Sequence, residues 1–161
     1  METKQSGFTL TELVVTITIV GILAAVAVPR LVGLGGDARG GVIKSTAGAM
    51  KQANDTIFTK ASIANIAGLS SGAGGPSIPF PAGDGTANTV PISIHFGFAT
   101  SAAELAKALA LGVDLSPTTD TANGAIQHNK AQTPATCKVS YTQAANSTTS
   151  PVYTIVTGNC S

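Results

Sequence analysis

The feature that most constrains the fold is an uninterrupted apolar run near the amino terminus. It extends from Phe8 to Val28, 21 residues with a single charged side chain, Glu12. As an α-helix it would extend about 31 Å, which matches the hydrocarbon core of a bilayer. A polar head, residues 1–7, precedes the run, and Pro29 is predicted to end or kink the helix. The run is therefore predicted to span a membrane.

Three interpretations of this run compete. A secretory signal peptide would have a shorter apolar region and a cleavage site of small residues, which the stretch AAVAV (24–28) could supply. A plain membrane anchor fits the length but leaves Glu12 unexplained, because a carboxylate inside a membrane helix costs roughly 3 kcal/mol and normally has a partner. The third interpretation supplies that partner, and it depends on the residues that begin the run.

Those residues, Gly7-Phe8-Thr9-Leu10-Thr11-Glu12, resemble the processing site of type IV prepilins and of the related pseudopilins of type II secretion. The resemblance implies that residues 1–7 are a leader and that a membrane peptidase cuts between Gly7 and Phe8. It also implies that the new amino terminus of Phe8 is methylated and that Glu12 and Pro29 take part in assembly.

The function that this resemblance implies is that of a structural subunit rather than an enzyme. The precursor would cross the bacterial inner membrane once and would then join a helical homo-oligomeric pilus fibre outside the cell, used for attachment. Its partners would be the prepilin peptidase, membrane lipid and, indirectly, the assembly platform with its ATPase. The alternative is a pseudopilin, which forms a short periplasmic piston. Nucleic acid is not an expected partner, because nine Lys/Arg oppose eight Asp/Glu without a basic cluster.

Charge pairing gives Glu12 a physical role in such a fibre. The amine of Phe8 stays cationic after methylation, and an apolar core tolerates its burial only beside a carboxylate. Glu12 of a neighbouring subunit can supply that carboxylate, and the pairing would set the axial register between subunits. The alternative is an unpaired Glu12 that reaches the lipid headgroups.

Beyond the apolar helix, 8–30, the sequence predicts a weak helical segment and then a globular domain. Five glycines lie between Gly33 and Gly41, and they weaken the helix over 31–41. The globular domain, 42–161, is predicted to begin with an amphipathic helix over 42–67 that Gly68 ends. Its apolar stripe consists of Ile43, Ala47, Met50, Ile57, Ala61 and Ala64.

The middle of the globular domain predicts loops, one strand and one short helix. Residues 68–85 contain six glycines and three prolines, and 116–136 are polar, so both predict loops. The alternation in ISIHFGF (92–98) predicts a half-buried strand. A capping box, Ser101-Ala-Ala-Glu104, opens a helix that is predicted to end at Leu111.

The cysteines Cys137 and Cys160 leave room for one disulfide and indicate an oxidising compartment. CKVSYT (137–142) and VYTIVTGNC (152–160) each predict a strand, and a hairpin in which the cysteines face each other would set Tyr141 opposite Val156. Two free buried cysteines are the alternative. A disulfide-bounded region of this kind resembles that of pilins, particularly those of the mannose-sensitive haemagglutinin type.

The predicted fold class is therefore α+β and type IV pilin-like. A long amino-terminal helix, half of it membrane-spanning, would pack on a small antiparallel sheet that ends in a disulfide hairpin.

Other motifs resemble chemical sites without their structural context. Gly33–Ala38 matches the dinucleotide pattern G-x-G-x-x-A, and Gly68–Gly72 matches the G-x-S-x-G elbow around Ser70, but neither follows a predicted strand. His95 and His128 lack metal-ligand spacing, and Asp84 alone is too little for calcium, so no metal or cofactor is predicted. His95 is expected on the solvent face of its strand. Asn54-Asp-Thr56 and Asn146-Ser-Thr148 match the glycosylation pattern, which arises often by chance in a chain so rich in Asn, Ser and Thr.

Overall fold

A computed structural model describes residues 7–70, 75–119 and 123–161, and this part of the chain contains two α-helices and seven strands. Helix α1 spans Leu10–Ile63 and α2 spans Ala102–Ala108, and a short 3₁₀ turn covers Pro134–Thr136. The strands are β1 (Ser77–Pro81), β2 (Thr89–His95), β3 (Phe98–Ala99), β4 (Leu115–Pro117), β5 (Ala125–His128), β6 (Lys138–Thr142) and β7 (Val152–Val156).

The chain divides into two compact units, Met1–Gly35 and Gly36–Ser161, and the boundary falls within the glycine-rich segment of α1. The helix nevertheless continues through Pro29 and through all five glycines. The prediction that Pro29 could end the helix is therefore wrong. Proline removes one backbone donor, and the bonds on either side of it suffice to keep the segment helical.

Helix α1 ends earlier than predicted, at Ile63 instead of 67. Asn65 adopts a left-handed backbone, with φ of 56°, and its N–H donates to the Ser62 carbonyl. The N–H of Ile66 donates to the Ala61 carbonyl. These two bonds form a Schellman motif with asparagine in the position that glycine usually takes. The helix therefore stops before Gly68, and Ala64 is exposed instead of buried.

The strands form two antiparallel sheets, one with the order β1-β2-β3 and one with the order β4-β5-β6-β7. Three strands lie where loops are predicted, so the loop predictions for 68–85 and 116–136 are wrong in part. In β1 the prolines Pro79 and Pro81 occupy exposed positions of an edge strand, where a missing donor is tolerated. Strands β4 and β5 have only three and four residues, too few to show hydrophobic alternation, and hydrogen bonds to their neighbours define them.

The segment 92–98 is a hairpin instead of one strand. Phe96 and Gly97 both have positive φ, 49° and 85°, and they form the two-residue turn between β2 and β3. A left-handed pair of this kind matches the twist of a tight hairpin. A methyl group at Gly97 would lie 2.8 Å from the Phe58 ring, so the turn is pressed against α1. His95, just before the turn, is half-buried.

The predicted capping box at Ser101 is confirmed at its first bond. The Ser101 hydroxyl accepts from the Glu104 N–H at 3.3 Å and opens α2. The Glu104 carboxylate turns outward from the box, where it accepts from the Ser93 N–H at 2.9 Å. The helix ends at Ala108, three residues before the predicted Leu111, because Leu109 is already extended.

The disulfide between Cys137 and Cys160 is confirmed, but the predicted register of its hairpin is wrong. Tyr141 lies opposite Tyr153, and not opposite Val156. The prediction assumed that both cysteines belong to the strands. Instead β7 ends at Val156, and Cys160 returns to Cys137 through a turn outside the sheet. The bridge therefore joins segments that flank β6 and β7.

The core lies between α1 and the two sheets. Five of the six predicted stripe residues are buried, and only Ala64 is not. They pack with apolar residues of both sheets, among them Ile92, Ile94, Ile126 and Val139. The α+β, type IV pilin-like fold class is confirmed, with two small sheets in place of one.

Candidate assembly segment

The amino-terminal end of α1 is closed by its own glutamate. The Oε2 atom of Glu12 accepts from both the N–H and the hydroxyl of Thr9, each at 2.9 Å. The Glu12 N–H donates to the Thr9 hydroxyl at 3.2 Å. This is a reciprocal capping box of the form T-x-x-E, and it starts the helix at Leu10. The spacing of Thr9 and Glu12 is the sequence signal for this cap.

From Leu10 to Val28, helix α1 carries apolar side chains on every side. Its large side chains are exposed all round the helix: Leu10, Leu13, Val14, Val15, Ile17, Ile19, Val20, Ile22, Leu23, Val26 and Val28. A helix that is apolar all round needs an apolar environment, either lipid or other helices. By length and composition α1 can cross a membrane, with a mean hydropathy of 2.3 in its most apolar stretch.

The glycine-rich segment of α1 makes close contacts with residues 157–161. The Arg39 guanidinium donates to the Cys160 carbonyl at 2.9 Å. A methyl group at Gly36 would come within 3.2 Å of the Ser161 backbone, and one at Gly40 within 3.6 Å of the Thr157 side chain. Gly36 therefore leaves room for the Ser161 backbone beside the helix, and Gly40 leaves room for the Thr157 side chain. From the sequence, these glycines predict only a lower helix propensity, and the hydrogen bond of Arg39 to the Cys160 carbonyl is not predicted.

The two enzyme-like motifs lack the required geometry. Gly33–Ala38 lies inside α1, so no strand-to-helix turn exists there to hold a phosphate. Ser70 follows the end of α1 instead of a strand, and Gly72 of that motif lies outside the described residues.

No metal site is formed by the described residues either. They contain no group of three or more His, Cys, Asp or Glu side chains placed to hold a metal ion. Asp84 instead closes a turn: its Oδ1 accepts from the N–H of Thr86 at 2.9 Å and from its hydroxyl at 2.7 Å. These bonds hold the pKa of the Asp84 carboxyl below its usual value. His128 is buried, and its Nδ1 accepts from the Lys130 N–H at 3.3 Å.

The two glycosylation patterns occupy opposite environments. Asn54 is 1% exposed, and its amide donates to the hydroxyls of Tyr141 and Tyr153 at 3.1 and 2.7 Å. Its Oδ1 accepts from the Ala99 N–H at 2.9 Å. A modifying enzyme cannot reach this amide in the folded chain. Asn146 is exposed and caps a turn through Thr148.

The exposed apolar helix with its capped glutamate and the disulfide-closed α+β unit give the chain a type IV pilin-like architecture. The prokaryotic N-terminal methylation motif matches residues 3–28, which include Gly7, Phe8 and Glu12.

One named relative agrees with that class. Over 50 residues the chain is 46% identical to the type IV narrow pilus major component PilA5 of Thermus thermophilus. The match covers 31% of this chain and 43% of that protein, so it spans less than half the length of the relative. No solved structure matches the chain. The likeness to haemagglutinin-type pilins stays a prediction.

Proposed function

We propose that this chain is the structural subunit of a type IV pilus and that it polymerises through its hydrophobic amino-terminal helix. The observation that carries the proposal is the beginning of α1. There a single carboxylate, Glu12, lies five residues after the Gly7–Phe8 junction on a helix whose apolar side chains are otherwise exposed. The methylation motif over 3–28 and the similarity to a pilus major component support it.

The first step of the proposed pathway is processing at the amino terminus. A membrane peptidase would hydrolyse the Gly7–Phe8 bond, which removes residues 1–7 and gives Phe8 a free amine. Residues 1–6 of that leader lie outside the described residues. Methylation of the amine would keep it cationic near neutral pH. The mature chain would then carry a positive charge two residues before Leu10, where α1 begins.

Assembly in this proposal depends on the pairing of that amine with Glu12 of a neighbouring subunit. A lone carboxylate or ammonium in an apolar fibre core is costly, whereas the hydrogen-bonded pair is tolerated. Within its own chain Glu12 already accepts two bonds from Thr9. A carboxylate has about four acceptor positions, so it can keep these bonds and accept an ammonium as well. The Thr9 bonds would also fix the direction of the carboxylate.

The same helix would serve two apolar environments in turn. As a precursor the chain would cross the inner membrane once, since the stretch that starts at Leu10 is long and apolar enough. In the fibre the helices of many subunits would bury the same side chains against each other. Pro29 and the glycines of 33–41 would let this part of α1 adjust its packing, because each weakens the helix. The unit Gly36–Ser161 would form the outer surface, which we propose serves in attachment.

Three variants of the capping box test the charge-pairing step. Glu12→Gln keeps the shape and accepting oxygen of the side chain but removes its charge, and Thr9→Ala keeps the charge but removes the capping hydroxyl. We expect both variants to be cleaved and methylated as in the wild type. Glu12→Gln and Glu12→Ala should fail to form fibres, whereas Thr9→Ala should still form them. Normal fibres from Glu12→Gln would refute the pairing.

Two further measurements separate this function from its alternatives. Mass spectrometry of the mature chain should find a methylated Phe8 at its start, whereas a start near Val28 would indicate a cleaved secretory signal. Electron microscopy of intact cells should find long surface fibres that contain this chain. Fibres confined to the periplasm would instead support the pseudopilin alternative.

A further inference from the structure

Helix α1 presents two flanks that point in opposite directions from the core. At about 100° per residue, the buried stripe of Ile43, Met50 and Ile57 lies between two other rows of residues. One row is Lys51, Asp55 and Phe58, and the other is Val42, Ser45 and Ala49. The centres of the two rows lie roughly 145° apart around the helix axis. Each row borders a different concave surface of the Gly36–Ser161 unit.

The first surface, here called the aromatic groove, lies between α1 and the loop from β6 to β7. Its volume is about 710 Å³. Its lining combines the apolar and aromatic residues Phe58, Phe98, Pro151, Val152 and Tyr153 with the charged residues Lys51 and Asp55 and the polar loop residues Ser147, Thr148, Thr149 and Ser150. The rings of Phe58 and Phe98 stack with their centres 4.7 Å apart. Val152 is 56% exposed. The groove thus has an apolar, aromatic floor beside the polar residues of the β6–β7 loop.

The second surface carries a protrusion, here called the valine knob, formed by residues 109–115 between α2 and β4. Val113 at its tip is 96% exposed. Backbone bonds hold the loop in shape: the Leu115 N–H donates to the Gly112 carbonyl, and the Asn129 N–H donates to the Asp114 carbonyl. Asp114 also forms an ion pair with Lys130 at 2.9 Å. An exposed apolar tip on a fixed loop is preorganised for contact.

We propose that the valine knob of one subunit inserts into the aromatic groove of a second copy of this chain. The knob and the groove lie on opposite flanks of α1, so the contact is heterologous and does not close after two copies. Repetition of such a contact generates a helical filament. This inference rests on the proposed pilus function, and it names the surfaces by which the globular units would adhere to each other.

Charge supports a second copy as the occupant. The knob is flanked by Asp114 and Lys130, and the groove is flanked by Lys51 and Asp55. In one orientation Asp114 approaches Lys51 while Lys130 approaches Asp55, so both contacts are attractive. The charges therefore favour one orientation of the knob within the groove, because the reverse orientation would place like charges next to each other.

Cysteine cross-linking tests the contact in the full-length chain. Val113→Cys combined with Val152→Cys places one thiol on the knob and one in the groove. After mild oxidation of fibres on cells, a non-reducing gel should show a ladder of dimers, trimers and longer species. Each single variant should remain monomeric. Val113→Cys with Ile63→Cys is the matched control, because Ile63 is 82% exposed but projects from α1 away from the groove.

The outcomes of this experiment separate the two proposals. Fibres without a ladder overturn the knob-in-groove contact and leave the pilus function standing. A ladder from purified chain without fibres supports the contact and counts against polymerisation into a pilus. Dimers from Val113→Cys alone show a knob-to-knob contact, which overturns the inference. A ladder of equal strength from the control that combines Val113→Cys with Ile63→Cys also overturns the inference.

Charge reversal gives a second readout in the same assay. Lys51→Glu or Asp114→Lys alone should lower the cross-link yield of the double-cysteine chain severalfold. The two reversals together should restore it. Equal yields in all four backgrounds would show that these charges do not face each other, and would overturn the proposed orientation.

Discussion

Replacement of Asn54 by alanine should be among the most destabilising single changes in the Gly36–Ser161 unit. This asparagine links α1 to both sheets: it accepts from the Ala99 N–H at 2.9 Å and donates to the hydroxyls of Tyr141 and Tyr153. Tyr141 in turn donates to the Ala99 carbonyl at 2.6 Å. All of these groups except the Tyr153 ring are fully buried. Water cannot replace the lost amide without a rearrangement of the core.

The magnitude follows from the groups that lose their partners. A buried N–H without an acceptor costs about 1–3 kcal/mol, and two weakened tyrosine bonds cost about 0.5–1.5 kcal/mol each. Because Tyr153 is half-buried and regains water, we expect a loss of about 3 kcal/mol in the free energy of unfolding. For a unit of this size that corresponds to a fall of about 10 °C in Tm.

Near-ultraviolet circular dichroism of the full-length chain in detergent is a suitable assay. The only two tyrosines of the sequence are Tyr141 and Tyr153, and the chain has no tryptophan, so much of this signal reports on the network itself. Asn146→Ala is the matched control, because Asn146 is exposed and bonds only within its own turn. We expect the control to change stability by about 0.5 kcal/mol or less. A loss of the same small size in Asn54→Ala would refute the argument.

Three further predictions address pH, packing and the disulfide. Burial raises the pKa of the Tyr141 and Tyr153 hydroxyls above the ordinary value of 10.0, so the fold favours their neutral forms. The free energy of unfolding should therefore stay constant below about pH 10 and fall as the pH rises above it. Urea unfolding at several alkaline pH values would detect this fall. Gly83→Ala should lower the free energy of unfolding by about 3 kcal/mol, because a methyl group there would overlap the Leu109 backbone. Gly112→Ala has open space around it and should leave the free energy of unfolding nearly unchanged in the same urea measurement. Replacement of both cysteines by serine should lower the free energy of unfolding by about 3 kcal/mol, since the bridge closes a loop with a sequence separation of 23. Equal unfolding curves with and without the bridge would contradict this value.

The features that could be predicted from the sequence are those that depend on local periodicity or on short-range bonds. The apolar run over 8–28, the buried stripe of α1 and the Ser101 cap all follow from spacing along one element. The disulfide could be predicted because only two cysteines are present. Glu12 was recognised from its place in a motif, although its capping bonds with Thr9 were overlooked.

The features that could not be predicted depend on partners far away in the chain. The prolines of β1 indicate a loop in the sequence, and only the pairing with β2 makes the segment a strand. Strands β4 and β5 are too short to show an alternating pattern. The register of β6 and β7 is decided by which residues fit the core, and Tyr141 must reach Asn54, 87 residues away. A local pattern contains no information about such a partner.

The sequence by itself thus determined the character of the amino-terminal segment 8–28, because there one charge and one apolar run leave few physical options. It predicted a helix that begins close to Phe8 and that needs lipid or other helices around it, whereas the pairing of Glu12 with a neighbouring subunit remains a proposal. Only the tertiary structure decided that Gly36 and Gly40 make room for residues 157–161, that Asn54 is a core residue, and that the knob and the groove flank α1 on opposite sides. These are relations between distant segments, and they exist only after the chain has folded.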